Sequence, residues 1–156
     1  MIQGHDHAVC VDTALCAAEA YCREHGLRLT ELRRRVLELV WSSHRPVGAY
    51  SVLEQLAAEG RSAAPPTVYR ALDFLLANGL VHRIASLNAY LGCNHPQEAH
   101  DAQFFICRRC GEAVELTNAR VGEAIAGDAT RLGFQMEAQT VEISGLCSHC
   151  LGEQMA

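Results

Sequence analysis

Lysine is absent from this 156-residue chain, so all 13 of its cationic side chains are arginine. The flat, forked guanidinium suits bidentate contacts to phosphate or guanine, although a genomic leaning toward arginine codons gives the same composition. No apolar run is long enough to span a bilayer: the stretch around Val9–Ala20 is interrupted by Asp12, Thr13 and Glu19. Neither end reads as a secretory signal, and the expected location is cytoplasmic. Internal repeats and low-complexity tracts are also missing. Apolar residues make up 49% of the chain, enough for a packed core and against global disorder. The net charge of −5 argues against indiscriminate binding to nucleic acid. That charge is unevenly placed. Residues 1–85 carry 9 Arg against 9 Asp and Glu, whereas residues 86–156 carry 4 Arg against 9, so the acidity belongs to the second half.

What the sequence does contain is eight cysteines, four of them in two CxxC dyads, Cys107-Arg-Arg-Cys110 and Cys147-Ser-His-Cys150. Two residues between cysteines let both sulfurs reach one metal ion from a tight turn. Two such turns supply the four thiolates of a closed tetrahedral zinc site. Residues 111–146 leave room for a helix and a strand between the halves of this clamp, so a metal would tie the start of a small domain to its end. In the cytosol such pairs favour metal or redox chemistry over disulfides, and a second redox dithiol has no evident use. Cys10, Cys16 and Cys22 recur every six residues around a helix and read as small apolar residues or free thiols. His5-Asp6-His7 offers only loose metal binding from a chain end.

The pattern along the chain predicts a helix over Ala14–His25 capped by Asp12-Thr13, with residues 1–11 disordered. A second helix runs from its cap, Thr30, to about Ser42, with Leu32, Val36, Leu39 and Val40 inward. A third covers Ala49–Glu59, with Val52, Leu53 and Leu56 inward. Pro65-Pro66 precede a fourth helix capped by Thr67 and closed by Asn78-Gly79, with Val68, Leu72, Leu75 and Leu76 as its apolar stripe. Two strands follow, Leu80–Ile84 and Asn88–Gly92. Three helices, a helix with a proline-set entry, then a β-hairpin is the order of a winged helix-turn-helix, whose last helix enters the major groove. Its outward face carries Tyr69, Arg70 and Asp73. The second half reads as strands at Gln103–Ile106 and Ala113–Thr117, then a helix over Asn118–Leu132 with Val121, Ile125 and Leu132 inward. A long strand at Phe134–Ile143 leads into the second dyad. The fold class is α+β: a winged-helix domain (1–85), a hinge at the end of the wing (86–92) and a small metal-binding α/β domain (93–156). A unit this small has little core of its own and calls for metal and self-association.

A second constellation straddles the two halves. His82, Cys93, His100 and Glu115 offer two imidazoles, a thiolate and a carboxylate, a set that zinc accepts. His95 is an alternative to His100. A mixed site of this kind exchanges metal more readily than four clamped thiolates, which suits reporting of free metal.

Three segments carry a family resemblance. They are Pro65-Pro66-Thr67-Val68-Tyr69-Arg70-Ala71-Leu72-Asp73-Phe74-Leu75 with Gly79-Leu80-Val81-His82, then Phe105-Ile106-Cys107-Arg108-Arg109-Cys110-Gly111, then Gly145-Leu146-Cys147-Ser148-His149-Cys150. In this order they resemble the ferric uptake regulator family of bacterial metal-sensing repressors, and most of all its zinc-sensing branch, over about residues 20–152. The resemblance implies a homodimer with a C-terminal dimerisation domain, binding a palindromic operator in double-stranded DNA. It implies two zinc ions per subunit: a structural one at Cys107, Cys110, Cys147 and Cys150, and a regulatory one at His82, Cys93, His100 and Glu115. Tyr50 and Arg70 match base-contacting positions, and Thr67 and Tyr69 complete the expected DNA-binding set.

The implied function is zinc-dependent repression of zinc-uptake genes. An iron, manganese or peroxide sensor is the alternative. It is disfavoured because the His-His-Asp-His type cluster of those sensors is replaced by Asn94-His95-Pro96-Gln97-Glu98-Ala99-His100-Asp101, and no His lies between His100 and His149. A dithiol oxidoreductase lacks its βαβ context. No nucleophile–base pair or phosphate loop is present, so no enzymatic activity is expected.

Overall fold

In the computed structural model Thr30 caps the helix that begins at Glu31. Its Oγ1 accepts the Arg33 N–H at 3.3 Å, satisfying one of the donors that a helix start leaves open. Residues 7–61, 63–96 and 100–152 are described, and none of their helices is long and apolar enough to cross a membrane. They form two units, residues 1–98 and 99–156.

The first unit holds four helices and a hairpin: α1 (His7–Glu24), α2 (Glu31–Trp41), α3 (Ala49–Ala58), α4 (Pro65–Ala77), β1 (Val81–Ile84) and β2 (Ala89–Gly92). Val36, Val40, Val52, Leu56, Val68, Leu72 and Leu75 are fully buried at its centre, each stabilising the unit by about 1.5–3 kcal/mol relative to exposure. The hairpin pairs antiparallel with His82 opposite Leu91 and Arg83 opposite Tyr90. Val47, in the loop after α2, exchanges backbone hydrogen bonds with Tyr90 at 2.8 and 2.9 Å and anchors the hairpin to the helices.

Several boundaries differ from the sequence expectation. α1 starts at His7, not Ala14, so residues 7–11 are helical where disorder was expected, and residues 1–6, with His5 and Asp6, lie outside the described ones. α4 starts at Pro65 with Ala64 as its cap. Proline fits the first turn because its missing N–H would be unsatisfied there anyway, and this moves Thr67 from cap to third helical residue. Ala71 takes the buried place expected of Leu76; of the three N-terminal cysteines, Cys22 is buried and Cys16 is an exposed free thiol, the two alternatives expected of them.

The second unit comprises β3 (Ala102–Cys107), β4 (Ala113–Thr117), α5 (Ala119–Arg131), β5 (Val141–Gly145) and α6 (Ser148–Gly152). The sheet order is β4-β3-β5, with β3 antiparallel to β4 and parallel to β5. Asn118 caps α5 through the Arg120 N–H, and the Gln103 amide donates to the Asn118 carbonyl at 3.0 Å, fixing the helix start to β3. The long strand expected at Phe134–Ile143 is instead Val141–Gly145, with residues 134–140 outside the sheet. Leu132, expected inward, is 82% exposed. One sheet face buries Ala102, Phe104, Ile106, Ala113 and Glu115, whereas Phe105, Val114 and Leu116 on the other remain open.

Candidate functional site

Both CxxC dyads belong to the second unit, and its topology brings them together. Parallel pairing sets Cys107 opposite Gly145, so the end of β3 and the exit of β5 lie side by side. The first dyad turns through Gly111, whose φ of +76° is a left-handed conformation that glycine adopts without steric cost. The Gly111 N–H donates to the Cys107 carbonyl at 2.9 Å. The second dyad is shaped by the short helix α6, which keeps Cys147 and Cys150 within one turn.

The sulfurs of Cys107, Cys110, Cys147 and Cys150 lie within 4.8 Å of one another, and Cys110 Sγ is 3.8 Å from Cys147 Sγ. Backbone N–H groups of Cys110 and Cys147 aim at Cys107 and hold its thiol down at about 6; the Cys147 N–H is 3.4 Å from that sulfur. Cys150 is pushed up to about 12, first by burial and then by the three neighbouring thiols. One thiolate is therefore welcomed by the backbone, and ionisation of Cys150 is opposed by burial first and by the neighbouring thiols second. A divalent cation at the centre removes that opposition. The donor set fits zinc in number, softness and closure. Arg109, inside the first dyad, donates to the Cys150 carbonyl at 3.0 Å and latches the two turns. Nothing in the sequence signals that latch beyond the Arg-Arg pair between the cysteines.

The four residues of the second constellation come two from each unit. In the first unit His82 lies on β1 and Cys93 just beyond β2, their ligand atoms within 4.8 Å of each other. The Cys93 N–H donates to the Leu80 carbonyl at 3.2 Å, which continues the hairpin by one step and fixes the thiol beside the imidazole. Gly92 just before it is packed under Trp41: a Cβ there would lie 2.2 Å from Trp41 Cε2. In the second unit His100 Nε2 lies 2.6 Å from Glu115 Oε1, and the Glu115 side chain is 1% exposed. β4 presents that carboxylate opposite Phe104 of β3. His95, the alternative ligand, is exposed in the loop beyond Cys93.

The surface expected to meet DNA lies in the first unit. Thr67, Tyr69 and Arg70 are exposed on α4, whose Val68 and Ala71 are buried. Tyr50, in the first turn of α3, is 71% exposed. Arg34, Arg35 and Arg61 are taken up by ion pairs with Glu19, Glu38, Glu59 and Glu31. Arg33 lies over the Phe74 ring at 3.6 Å from its centroid and bonds the Arg28 carbonyl. Much of the arginine content of this unit is thus structural, a division that composition alone does not reveal.

Comparison with known proteins adds the following. The sequence model described as the ferric uptake regulator family matches residues 24–144. The zinc uptake regulation protein of Escherichia coli K12 is 38% identical over 138 residues, 88% of this chain and 81% of that protein. Its namesake from Mycobacterium tuberculosis H37Rv is 30% identical over 128 residues, 80% of this chain and 95% of that one. Among solved structures, a zinc uptake regulator complexed with zinc and DNA superimposes with a TM-score of 0.89 at 35% identity, covering 94% of this chain and 98% of the other. The holo form of XcZur gives 0.83 at 47% identity, covering 90% and 98%.

Proposed function

From the premise that this chain belongs to the ferric uptake regulator family, we propose that it is a cytoplasmic, zinc-responsive transcriptional repressor that binds operator DNA as a homodimer and shuts off zinc uptake. Proteins of this family regulate transcription and are not enzymes. The observation that carries zinc over iron is the thiol of Cys93 fixed next to His82 by the extended hairpin. Thiolate with imidazole selects zinc, whereas hard oxygen-rich sets suit iron and manganese.

Two ions per subunit fit the residues present. Cys107, Cys110, Cys147 and Cys150 would hold the structural ion. His82 and Cys93 from the first unit, with His100 and Glu115 from the second, would hold the regulatory one. Bound there, zinc supplies positive charge and bonds that join the DNA-binding unit to the dimerising one. The residues supply the rest. Each imidazole gives a neutral nitrogen, Cys93 gives up its proton, and Glu115 balances charge from a buried position. DNA binding and metal binding are then reciprocally coupled, typically by about 1–3 kcal/mol per coupled pair of sites.

For DNA, Arg70 and Tyr50 are the base readers and Tyr69 and Thr67 flank them on phosphate or thymine methyl. For the dimer, support comes from the open sheet face of Phe105, Val114 and Leu116 with Leu132, Phe134 and Met136 also exposed. So much apolar surface in a unit of this size fits a second copy of the same chain.

The test is a pull-down of fragmented host genomic DNA at buffered free zinc, iron(II) or manganese(II). Enrichment with zinc alone, near zinc-transport genes, supports the reading. Enrichment with iron or manganese overturns the assignment of the His82–Cys93 pair.

A further inference from the structure

The wing carries one charged side chain that the reading above does not use. No Asp or Glu occurs between Asp73 and Glu98, so Arg83 stands in a 24-residue stretch free of acid. It lies exposed on β1, one residue after His82. Strand alternation turns these neighbours to opposite faces. Arg83 Nη2 donates to Asn88 Oδ1 at 3.0 Å, and Asn88 itself closes the hairpin in a left-handed conformation, φ +47° and ψ +47°. An asparagine tolerates that conformation and holds its amide over the turn. The guanidinium is therefore aimed by a neutral partner, and no ion pair among the described residues cancels its charge. Arg34, Arg35 and Arg61, by contrast, are neutralised by glutamates.

The direction in which Arg83 is aimed follows from Tyr90, its cross-strand partner. Burial pushes the Tyr90 hydroxyl above its ordinary range. Arg83 opposes that shift, while Asp73 and Tyr69 add to it. Register partners of an antiparallel ladder put their side chains on one face, so Arg83 lies on the Tyr90 face of the hairpin, opposite to that of His82.

We propose that Arg83, oriented by Asn88, is a DNA phosphate contact made by the wing beside the groove that α4 enters. This rests on the reading of the chain as a DNA-binding regulator and adds to it a second contact element. It also gives the metal a short mechanical route to DNA. His82 and Arg83 are consecutive on one strand, so a ligand that immobilises the imidazole also immobilises the strand from which the guanidinium projects. A phosphate contact carries no base information, so it changes affinity and salt dependence without changing sequence preference.

The test uses the zinc-loaded full-length protein and fragments recovered from the genomic pull-down, with fluorescence anisotropy over a range of salt. Wild type is compared with Arg83→Ala, Asn88→Gly and Arg70→Ala. Arg83→Ala is expected to bind about tenfold more weakly or worse, from loss of a charge-assisted contact in each protomer. Its slope of log affinity against log salt should fall by about 2 per dimer, one for each lost phosphate contact. The ratio of specific to scrambled-site affinity, the zinc content and the dimer mass should stay at wild-type values. Asn88→Gly keeps the turn and is expected to weaken binding less while leaving the slope unchanged. Arg70→Ala should lose the specific-to-scrambled ratio instead. If Arg83→Ala matches wild type in affinity and slope while wild type binds normally, the wing contact is wrong and the regulator reading stands. If Arg83→Ala loses sequence preference as Arg70→Ala does, it reads bases and the phosphate assignment is wrong. If wild type binds no DNA at any zinc level, both readings fall together.

Discussion

The Arg109 guanidinium reaches across the cysteine cluster to the Cys150 carbonyl, 3.0 Å away, so the two CxxC turns are latched by a hydrogen bond as well as by the thiols themselves. At the same end the Arg108 N–H donates to the Gly145 carbonyl at 2.9 Å, where β3 and β5 end side by side and α6 is a five-residue helix.

Removing one of the four thiols should therefore be felt by the whole unit. Cys107→Ala leaves three ligands for a tetrahedral ion and removes the thiol that backbone N–H groups hold down at about 6. Structural zinc sites contribute their binding free energy to folding, on the order of 10 kcal/mol in small domains. The variant is expected to lose one zinc per chain and its dimer, seen by metal analysis and sedimentation. A stable, zinc-poor dimer would show that the clamp is dispensable.

The open sheet face makes a separate prediction. Leu116 is 51% exposed on the face shared with Phe105 and Val114. Leu116→Glu places a charge in a surface proposed to be covered by a second copy, at a cost of several kcal/mol when a charge is buried unpaired. Light scattering should find a monomer that retains its structural zinc. An unchanged dimer mass would move the interface elsewhere.

Arg70 projects from α4 between the buried Val68 and Leu72 with its charge uncommitted to any ion pair among the described residues. Arg70→Ala should weaken binding to the cognate operator by about 1–3 kcal/mol, roughly 5- to 150-fold, and flatten discrimination at the base it reads. Competition binding with single-base operator variants measures both. A uniform loss across all sequences would reassign Arg70 to phosphate.

Thr30→Ala tests the fold alone. Loss of the cap on α2 should cost about 1 kcal/mol, read as a lower denaturant midpoint with unchanged zinc affinity. A drop in zinc affinity would mean that the helices and the His82–Cys93 pair are coupled more tightly than their separation in sequence suggests.

Much of this was legible from sequence because the signals are local. The CxxC spacing needs only a turn, Thr30 caps its helix from the adjoining position, and Ala113–Thr117 alternates as a strand should. What was not legible depends on neighbours distant in the chain. The proline pair could have preceded α4 or opened it, and Ala64 as cap settles the matter structurally rather than by residue type. Phe134 and Met136 alternate like a strand, yet pairing starts only at Val141, because β3 offers its register partners from Gln103 onward. Leu132 looked like core because it is apolar at helical spacing, yet it sits just past the last residue of α5 and is 82% exposed. The grouping of His82 with Cys93 was read from ligand chemistry, but the backbone bond from Cys93 to Leu80 that fixes the pair is a property of the folded hairpin.

The most direct measurement is operator affinity as a function of buffered free zinc for wild type and Cys93→Ala, with dimer mass and structural zinc content measured on the same samples. The account predicts a steep zinc dependence for wild type and a folded, structurally zinc-loaded Cys93→Ala dimer whose DNA binding no longer responds to zinc. A Cys93→Ala dimer that still tightens on DNA as zinc rises would contradict the assignment of the sensing site.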